Sequence, residues 1–325
     1  MLRLGLQSST APKQALVLMN KQPIPDPDSA TGTTLQPRAH GASTHARASL
    51  VELPAYGAPM RLLTGSYGQH CYQPHLHEEY TLSVIEQGDL RFSAEGRDHH
   101  AQRGEVVVIP PLAVHDGRNG GPQGFSYRVL YLHPQSLRAA LGRDDLALSS
   151  GVHRDARCAD ALLRGHRSLQ AWGGTRLGAE AALLSLLEDL VPGLQRDPVP
   201  GAESGPHGRA AGTGRAGGHP AIRRVAQRLD ECPQDNPSLD ELAMDSGLSR
   251  RHLTRLFRAD VGLTVHQYQM QAKVRAAYSR LRSGATAAAA AAEVGFADQE
   301  HLTRWFWSVY GVSPRTSARM VSGCR

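Results

Sequence analysis

Cysteine is scarce in this chain of 325 residues. Only Cys71, Cys158, Cys232 and Cys324 occur, and no two of them form a Cys-x-x-Cys pair. That spacing excludes a disulfide framework and a zinc ribbon, and it fits a reducing, cytoplasmic setting. Long apolar runs are also missing. None approaches the roughly 18 residues that a membrane helix needs, so no membrane partner is expected. The N-terminus has basic residues but no compact apolar region with a cleavage site, so no secretion signal is read. Catalytic signatures are absent too: there is no nucleophile elbow and no phosphate loop. Gly212-Thr213-Gly214 is linker composition, not a nucleotide site. The expectation is a protein that is not an enzyme, with no catalytic residues, no cofactor and no metal.

What is present is positive charge, unevenly spread. The formal net charge is +6, and the pI is about 9.3. From Pro220 to Arg325 there are 15 Lys and Arg against 10 Asp and Glu, so +5 of the excess sits in the last third. A basic terminal third is compatible with nucleic acid as a partner.

Length suggests two domains. Residues 1–48 are rich in Ser, Thr, Pro, Gly and Ala without a sustained period, and read as a flexible tail or as sequence upstream of a later start such as Met19 or Met60. Residues 49–135 read as short strands, among them Tyr80–Ile85 and Glu105–Ile109, punctuated by Gly, Pro and Asn. Closely spaced short strands suggest a barrel or sandwich. Residues 135–191 turn helical. From Leu177 to Val191 the leucines Leu183, Leu184, Leu186, Leu187 and Leu190 make one broad apolar face, and Pro192 is expected to stop the helix. Such a face packs on the barrel or on a partner helix, and a homodimer is expected through it. Residues 192–219, dominated by Gly, Pro and Ala, read as a linker. Residues 220–325 have a helical period.

The last segment contains an internal repeat. His252-Leu253-Thr254-Arg255 recurs as His301-Leu302-Thr303-Arg304, 49 residues later. Phe257 and Phe306 follow at the same offset, as do Gly262 and Gly311. Ala243 to Gly247 precedes the first copy, and Ala291 to Gly295 the second. Each copy reads as helix, tight turn, helix. Gly247 permits a left-handed turn, Leu248 plugs the space between helices, and Ser249 caps the next helix. On that helix Leu253, Leu256 and Phe257 face inward. Arg250, Arg251, Thr254, Arg255 and Arg258 face outward. An apolar back with a cationic front is suited to the major groove of double-stranded DNA. In the second copy Gly295-Phe296 marks the turn and Asp298 caps. There Gln299, Glu300, Thr303 and Arg304 are placed to read bases.

Residues 222–319 resemble the DNA-binding domain of the AraC/XylS family of transcriptional regulators. The resemblance rests on Gly295-Phe296-Ala297-Asp298-Gln299, on Arg304 and Phe306, and on Gly311-Val312-Ser313-Pro314. It implies seven helices, with a long bridging helix near Thr264 to Leu281, and a function in transcription regulation, with activation and RNA polymerase contact as part of that expectation. Three positions depart from the pattern. Ala290 stands where the family has a branched apolar residue, Trp307 where Lys or Arg is common, and Ser317 near a usual Tyr.

Residues 70–133 resemble the sensor cupin of arabinose-type AraC regulators. His75-Leu76-His77 opens a strand region, and Gly104, Pro110, His115 and Asn119 keep the spacing of the second cupin motif, with Leu112 in place of a usual Gly. Three histidines converging in a barrel suit a divalent metal, but metal cupins carry a Glu where Thr81 and Leu82 stand, and Glu78 and Glu79 come too early. The resemblance implies a small-molecule effector site, with His75, His77 and His115 as ligand-binding residues.

The expected architecture is therefore an N-terminal all-β jelly-roll cupin with following helices, then an all-α domain with two helix-turn-helix motifs. A ligand-responsive regulator is the leading expectation. A metal-dependent cupin enzyme fused to a DNA-binding module is the alternative, and a constitutive architectural binder a third.

Overall fold

The computed structural model describes residues 46–195 and 218–316. The expectations for the tail up to residue 45, for most of the linker and for Ser317 and Cys324 lie outside the described residues. The first described segment is β1 (Arg47–Leu53), β2 (Met60–Tyr67), β3 (Cys71–His75), β4 (Tyr80–Ala94), β5 (Arg97–Gln102), β6 (Val106–Ile109), β7 (His115–Asn119) and β8 (Phe125–Leu132), then α1 (Pro134–Leu141), β9 (Gly151–His153), α2 (Ala156–Gln170) and α3 (Arg176–Leu194).

All strand pairs are antiparallel. One sheet has the order β1-β2-β8-β4-β6-β9, and β3, β7, the far half of β4 and β5 make a second. The long strand β4 belongs to both. Thr81–Val84 pairs with β6, whereas Asp89–Ala94 pairs with β5. The change of sheet falls at a register shift between Ile85 and Gln87. Gly88 follows with φ 68°, and a Cβ there would lie 2.1 Å from the Gly124 carbonyl oxygen. Only glycine fits that corner.

Period-two alternation assigns the two faces of the first sheet. Leu62, Leu82, Val84, Val106, Val108, Leu130 and Leu132 point outward and are covered by α2 and α3. Leu63, Ile85, Val107, Ile109, Val129 and Tyr131 point into the barrel. Both faces are dry, which is why β6 reads Val-Val-Val-Ile without alternation of polarity.

Three local expectations change. β1 begins at Arg47, inside the stretch read as tail, because Leu50 and Leu53 are buried once β1 pairs with β2. β9 adds a short strand to β6 within the segment read as helical; three residues are too few to show a period. Pro192 does not stop α3, which runs on to Leu194. The missing N–H falls in the last turn, where full burial of Leu194 and the bond from Gln195 N–H to the Val191 carbonyl, 2.8 Å, hold the helix.

The leucine face expected to pair two chains is used internally. Leu183, Leu186, Leu187, Leu190 and Val191 are buried against Leu62, Leu82 and Leu130 of the barrel. Leu184 is half-buried at its flank, and Leu177 is 76% exposed.

The second segment is helical: α4 (Pro220–Glu231), a 3-10 turn at Pro233–Asp235, α5 (Leu239–Ser246), α6 (Arg250–Val261), α7 (Val265–Arg282), α8 (Ala287–Glu293) and α9 (Gln299–Tyr310). Side-chain caps start them. Ser238 with Glu241 and Thr264 with Gln267 form capping boxes, while Ser249, Thr286 and Asp298 accept from the first turn. The bridging helix α7 lies where the resemblance implies it. Residues 314–316 are helical, and the rest of the expectation of a seventh helix lies outside the described residues. The described residues form one compact unit, so barrel and helices share a continuous core.

Leu187 lies at the centre of the layer between α3 and the barrel. Leu187→Ala is expected to destabilise the protein by about 2–5 kcal/mol, as cavity-forming core substitutions do. Urea unfolding followed by circular dichroism measures it; a loss below 1 kcal/mol would mean that α3 is not packed on the barrel as described.

Candidate functional site

Two exposed helix faces carry the residues picked out for DNA. On α6 Leu253 and Phe257 are buried in the core of the first helix-turn-helix unit, while Arg250, Arg251, Arg255 and Arg258 are exposed and Thr254 is half-exposed. The Thr254 hydroxyl donates to the Arg250 carbonyl at 2.9 Å, and Arg250 pairs with Asp240 at 3.3 Å. Arg251, Arg255 and Arg258 have no ion partner among the described residues. Four guanidinium groups on three turns make this a cationic face.

On α9 Leu302 and Phe306 are fully buried, while Gln299, Glu300 and Arg304 are exposed and Thr303 is half-exposed. Asp298 caps the helix by accepting from His301 N–H at 2.6 Å, so Glu300 is not the cap. The turn before it is held from α7. Lys273 Nζ donates to the Gly295 carbonyl at 2.7 Å and also contacts the Asn236 side chain. A Cβ on Gly295 would come within 2.9 Å of the Gln234 carbonyl oxygen, so the second turn needs glycine.

The three barrel histidines come together. One ring nitrogen from each of His75, His77 and His115 lies within 4.8 Å of the others, and all three residues are buried. His75 and His115 face each other across the β3–β7 pair. His75 and His77 are two residues apart along an extended chain, so both point inward. Burial holds all three imidazoles neutral. His115 is pushed down to about 4, and His75 and His77 fall well below their usual value, with mutual repulsion adding to the effect of burial. They line a cavity of about 40 Å³ together with Thr81, Ser83, Tyr127 and Tyr131.

The segment Pro74–His77 also touches the helical domain. Between the two inward histidines, Leu76 points the other way, into the core of the first helix-turn-helix unit beside Ile222, Phe257 and Tyr268. The Gln271 amide of α7 grips the same backbone, donating to the Pro74 carbonyl at 3.0 Å and accepting from Leu76 N–H at 3.2 Å. Leu112 donates its N–H to the His77 carbonyl at 2.7 Å and packs against that same core. Its φ of 62° explains why the family pattern has Gly here. A leucine in this region is strained by about 1–3 kcal/mol, offset by the contact its side chain makes.

The C-terminal half of α9 closes the barrel from the other side. Tyr310 is buried, with its ring 5.9 Å from that of His77 and nearly parallel to it. Tyr67 OH donates to the Gly311 carbonyl at 2.9 Å, and Trp307 Nε1–H donates to His70 Nδ1 at 3.1 Å. Arg61 is 5% exposed, pairs with Glu79 at 2.6 Å, and lies 4.9, 5.2 and 5.1 Å from the ring centres of Tyr131, Tyr278 and Tyr310. Glu52 receives Arg282 at 2.6 Å and the Tyr278 hydroxyl at 3.1 Å. Sequence reasoning missed Arg61, Tyr67, His70, Gln271 and Tyr310. One signal was available: Trp307 departs from the Lys or Arg of the family pattern because it faces the sensor.

Comparison with known proteins follows this division. Residues 57–187 match the model of an AraC-like ligand binding domain, and residues 242–320 that of a helix-turn-helix domain. The uncharacterised HTH-type transcriptional regulator YbfI of Bacillus subtilis (strain 168) is 24% identical over 238 residues, 70% of this chain and 80% of YbfI. The HTH-type transcriptional regulator RipA of Corynebacterium glutamicum is 36% identical over 94 residues, 29% of this chain and 28% of RipA. Among solved structures, ToxT from Vibrio cholerae O395 aligns over 86% of this chain and 98% of its own, at 9% identity and TM-score 0.47. A regulator with an AraC-type DNA-binding domain from Chromobacterium violaceum aligns over 32% of this chain and 93% of its own, at 20% identity and TM-score 0.31.

Neutral buried histidines give a pH dependence of known sign. Besides His115, burial pushes His70 and His166 down to about 4. Unfolded, each returns to its ordinary value near 6.5, so the unfolded chain takes up protons first. Stability is full above about pH 6.5 and is lost as pH falls from there through about 4. The urea midpoint is expected to fall steadily across that window; a midpoint that stays level to pH 4.5 would show that these imidazoles are not desolvated.

Proposed function

We propose, for a chain that belongs to the AraC-type transcriptional regulators, that its two helix-turn-helix units divide the labour of binding and that the sensor barrel controls the second unit. The protein is a ligand-responsive, sequence-specific DNA-binding regulator of transcription. Its role is regulatory rather than enzymatic. The observation that carries this reading is the double use of α9: its first turns present Gln299, Glu300 and Arg304 to solvent, while Trp307 and Tyr310 sit in the barrel mouth. A change at the barrel interior therefore bears directly on the helix that discriminates between bases.

The first unit supplies grip. Arg250, Arg251, Arg255 and Arg258 attract phosphate, and an arginine fork pairs with guanine. Thr254 adds a hydroxyl at the same face. The second unit supplies discrimination, since Glu300 and Arg304 cancel in charge while Gln299 suits adenine and Glu300 suits cytosine. His75, His77 and His115 line the effector site. No described helix is long and apolar enough to cross a membrane, and a cytoplasmic location is part of this reading. RNA polymerase and a second copy of the chain are the further partners. With the α3 leucines committed to the barrel, pairing of two chains falls to the exposed side of α2 and α3, where Leu177 stands out.

On this assignment Arg251→Ala and Arg255→Ala each weaken binding to a selected site by about 1–3 kcal/mol. Fluorescence anisotropy with selected duplexes, across a range of salt, measures the loss; undiminished affinity in both variants would overturn the first unit's role. Glu300→Ala is expected to leave non-specific affinity intact and to relax preference at one base position. Site selection from random duplexes with wild type and variant decides, and identical preferences would remove Glu300 from base reading.

A further inference from the structure

We propose that Lys273 is a positioning residue that locks the two helix-turn-helix units at one separation, and so sets which half-site spacing the protein accepts on DNA. The inference rests on the proposed reading that both units contact one duplex.

Apolar packing leaves the relation between the units loose. The first unit has its own core, in which α4, α5 and α6 meet Val265 and Tyr268 at the start of α7. The second has another, in which α8 and α9 meet Val274, Ala277 and Leu281. Apolar attraction is non-directional. It holds each unit on the bridging helix without fixing one unit against the other. A direct junction between them is polar. Asn236 stands two residues ahead of Ser238, the N-cap of α5, and Gly295 stands three residues ahead of Asp298, the N-cap of α9. Lys273 Nζ donates to both, to the Asn236 side-chain oxygen and to the Gly295 carbonyl at 2.7 Å. The Asn236 amide closes the triangle by donating to the same carbonyl at 3.4 Å. One ammonium therefore ties the entry of the first unit to the turn of the second, across 59 residues of chain.

Each member is shaped for this contact. Asn236 adopts φ 51° and ψ 47°, a left-handed conformation that asparagine tolerates better than most side chains. Gly295 has φ 77°, and the lack of a Cβ lets the Gln234 carbonyl come up against the turn. Lys273 is 3% exposed, and among the described residues no carboxylate pairs with it. The Phe296 ring lies 5.6 Å from its ammonium. A buried charge without a counter-ion is a poor source of stability, and an apolar residue would be easier to bury. Its best-attested use is to fix register, because hydrogen bonds from an ammonium are strong and are lost when either acceptor moves. Gln271, two residues earlier on α7, leaves from nearly the opposite side to hold the barrel, so the lock does not compete with that grip.

The consequence for DNA is geometric. One base pair is about 3.4 Å along the duplex and roughly 35° around it. With α6 and α9 locked, one base pair added between the half-sites moves the second unit off its bases, which lowers affinity about 10-fold or more.

The test uses the full chain, a selected duplex, and two copies of it with one base pair added or removed between the half-sites. Fluorescence anisotropy gives the ratio of affinities. Wild type is expected to favour the selected spacing by about 10-fold or more, and Lys273→Met to cut that preference to about 3-fold or less. Asn236→Gly keeps the left-handed backbone and removes the same acceptor, so it should reproduce the loss and decides where Lys273→Met fails to fold. The double variant should lose no more than either single one, because both break one contact. A residue that is merely structural would weaken all three duplexes by the same factor. That outcome, or a folded variant that keeps the wild-type ratio, overturns the inference and leaves the DNA-binding reading standing. Wild type that shows no sequence preference at all takes the two-unit reading and the inference together.

Discussion

The four residues from Pro74 to His77 are the constraint on which the molecule turns. An extended chain alternates its side chains, so His75 and His77 must face the barrel interior while Leu76 faces away. What lies on that far side is the core of the first helix-turn-helix unit. Gln271 of the bridging helix fixes the backbone between them with two hydrogen bonds. On the proposed reading, a movement of the histidines toward a ligand would displace Leu76 in the core of the first helix-turn-helix unit and pull on the helix that joins the two units. Sensor and reader are two faces of one strand end.

The second unit is tied to the same place by different chemistry. Tyr310 lies over His77, and Arg61 is wedged among three tyrosine rings with Glu79 as its counter-charge. A guanidinium this buried is tolerated because its charge is paired and its faces are covered by aromatic rings. Two of those rings, Tyr278 and Tyr310, come from the helical domain. Separating the domains would uncover Arg61 and leave it only Glu79 and the Tyr131 ring, so the clasp resists partial opening. Such an arrangement favours two discrete states over a continuum.

Sequence reasoning reached what is locally encoded. The repeat, the turn glycines Gly247 and Gly295, and the caps Ser249 and Asp298 declare the two units, because caps and turns depend on residues within one or two turns of each other. The histidine convergence was readable from spacing along two strands. The rest depends on partners far away in the chain. The apolar face of α3 looks the same whether it meets a second copy or its own barrel; only packing against Leu82 and Leu130 decides. Pro192 reads as a stop until burial of Leu194 is known. Tyr67, Arg61 and Tyr310 show no period and no motif, because their meaning lies in contacts spanning most of the chain. Leu112 and Trp307 were visible as departures from a pattern. Both prove to be places where a side chain is used to join the domains.

Those departures also fix how information must flow. On the proposed reading, a ligand held by the histidines and a duplex held by α9 would act on the same clasp from opposite ends, one at His77 and one at the turns ahead of Tyr310. If one state of the clasp suits the ligand and the other suits the duplex, each weakens the other by the same factor; if one state suits both, each strengthens the other equally. The sign is set by whether α9, with Tyr310 seated on His77, can still lie in the groove. The geometry bears on that point: Gln299, Glu300 and Arg304 stay exposed while Trp307 and Tyr310 remain docked. The docked state therefore presents its reading face rather than hiding it. On the proposed reading, regulation through this clasp would act less by masking side chains than by fixing where the second unit stands relative to the first. Two units held rigidly fit only duplex sites of one spacing and phase, whereas two units released fit many sites weakly.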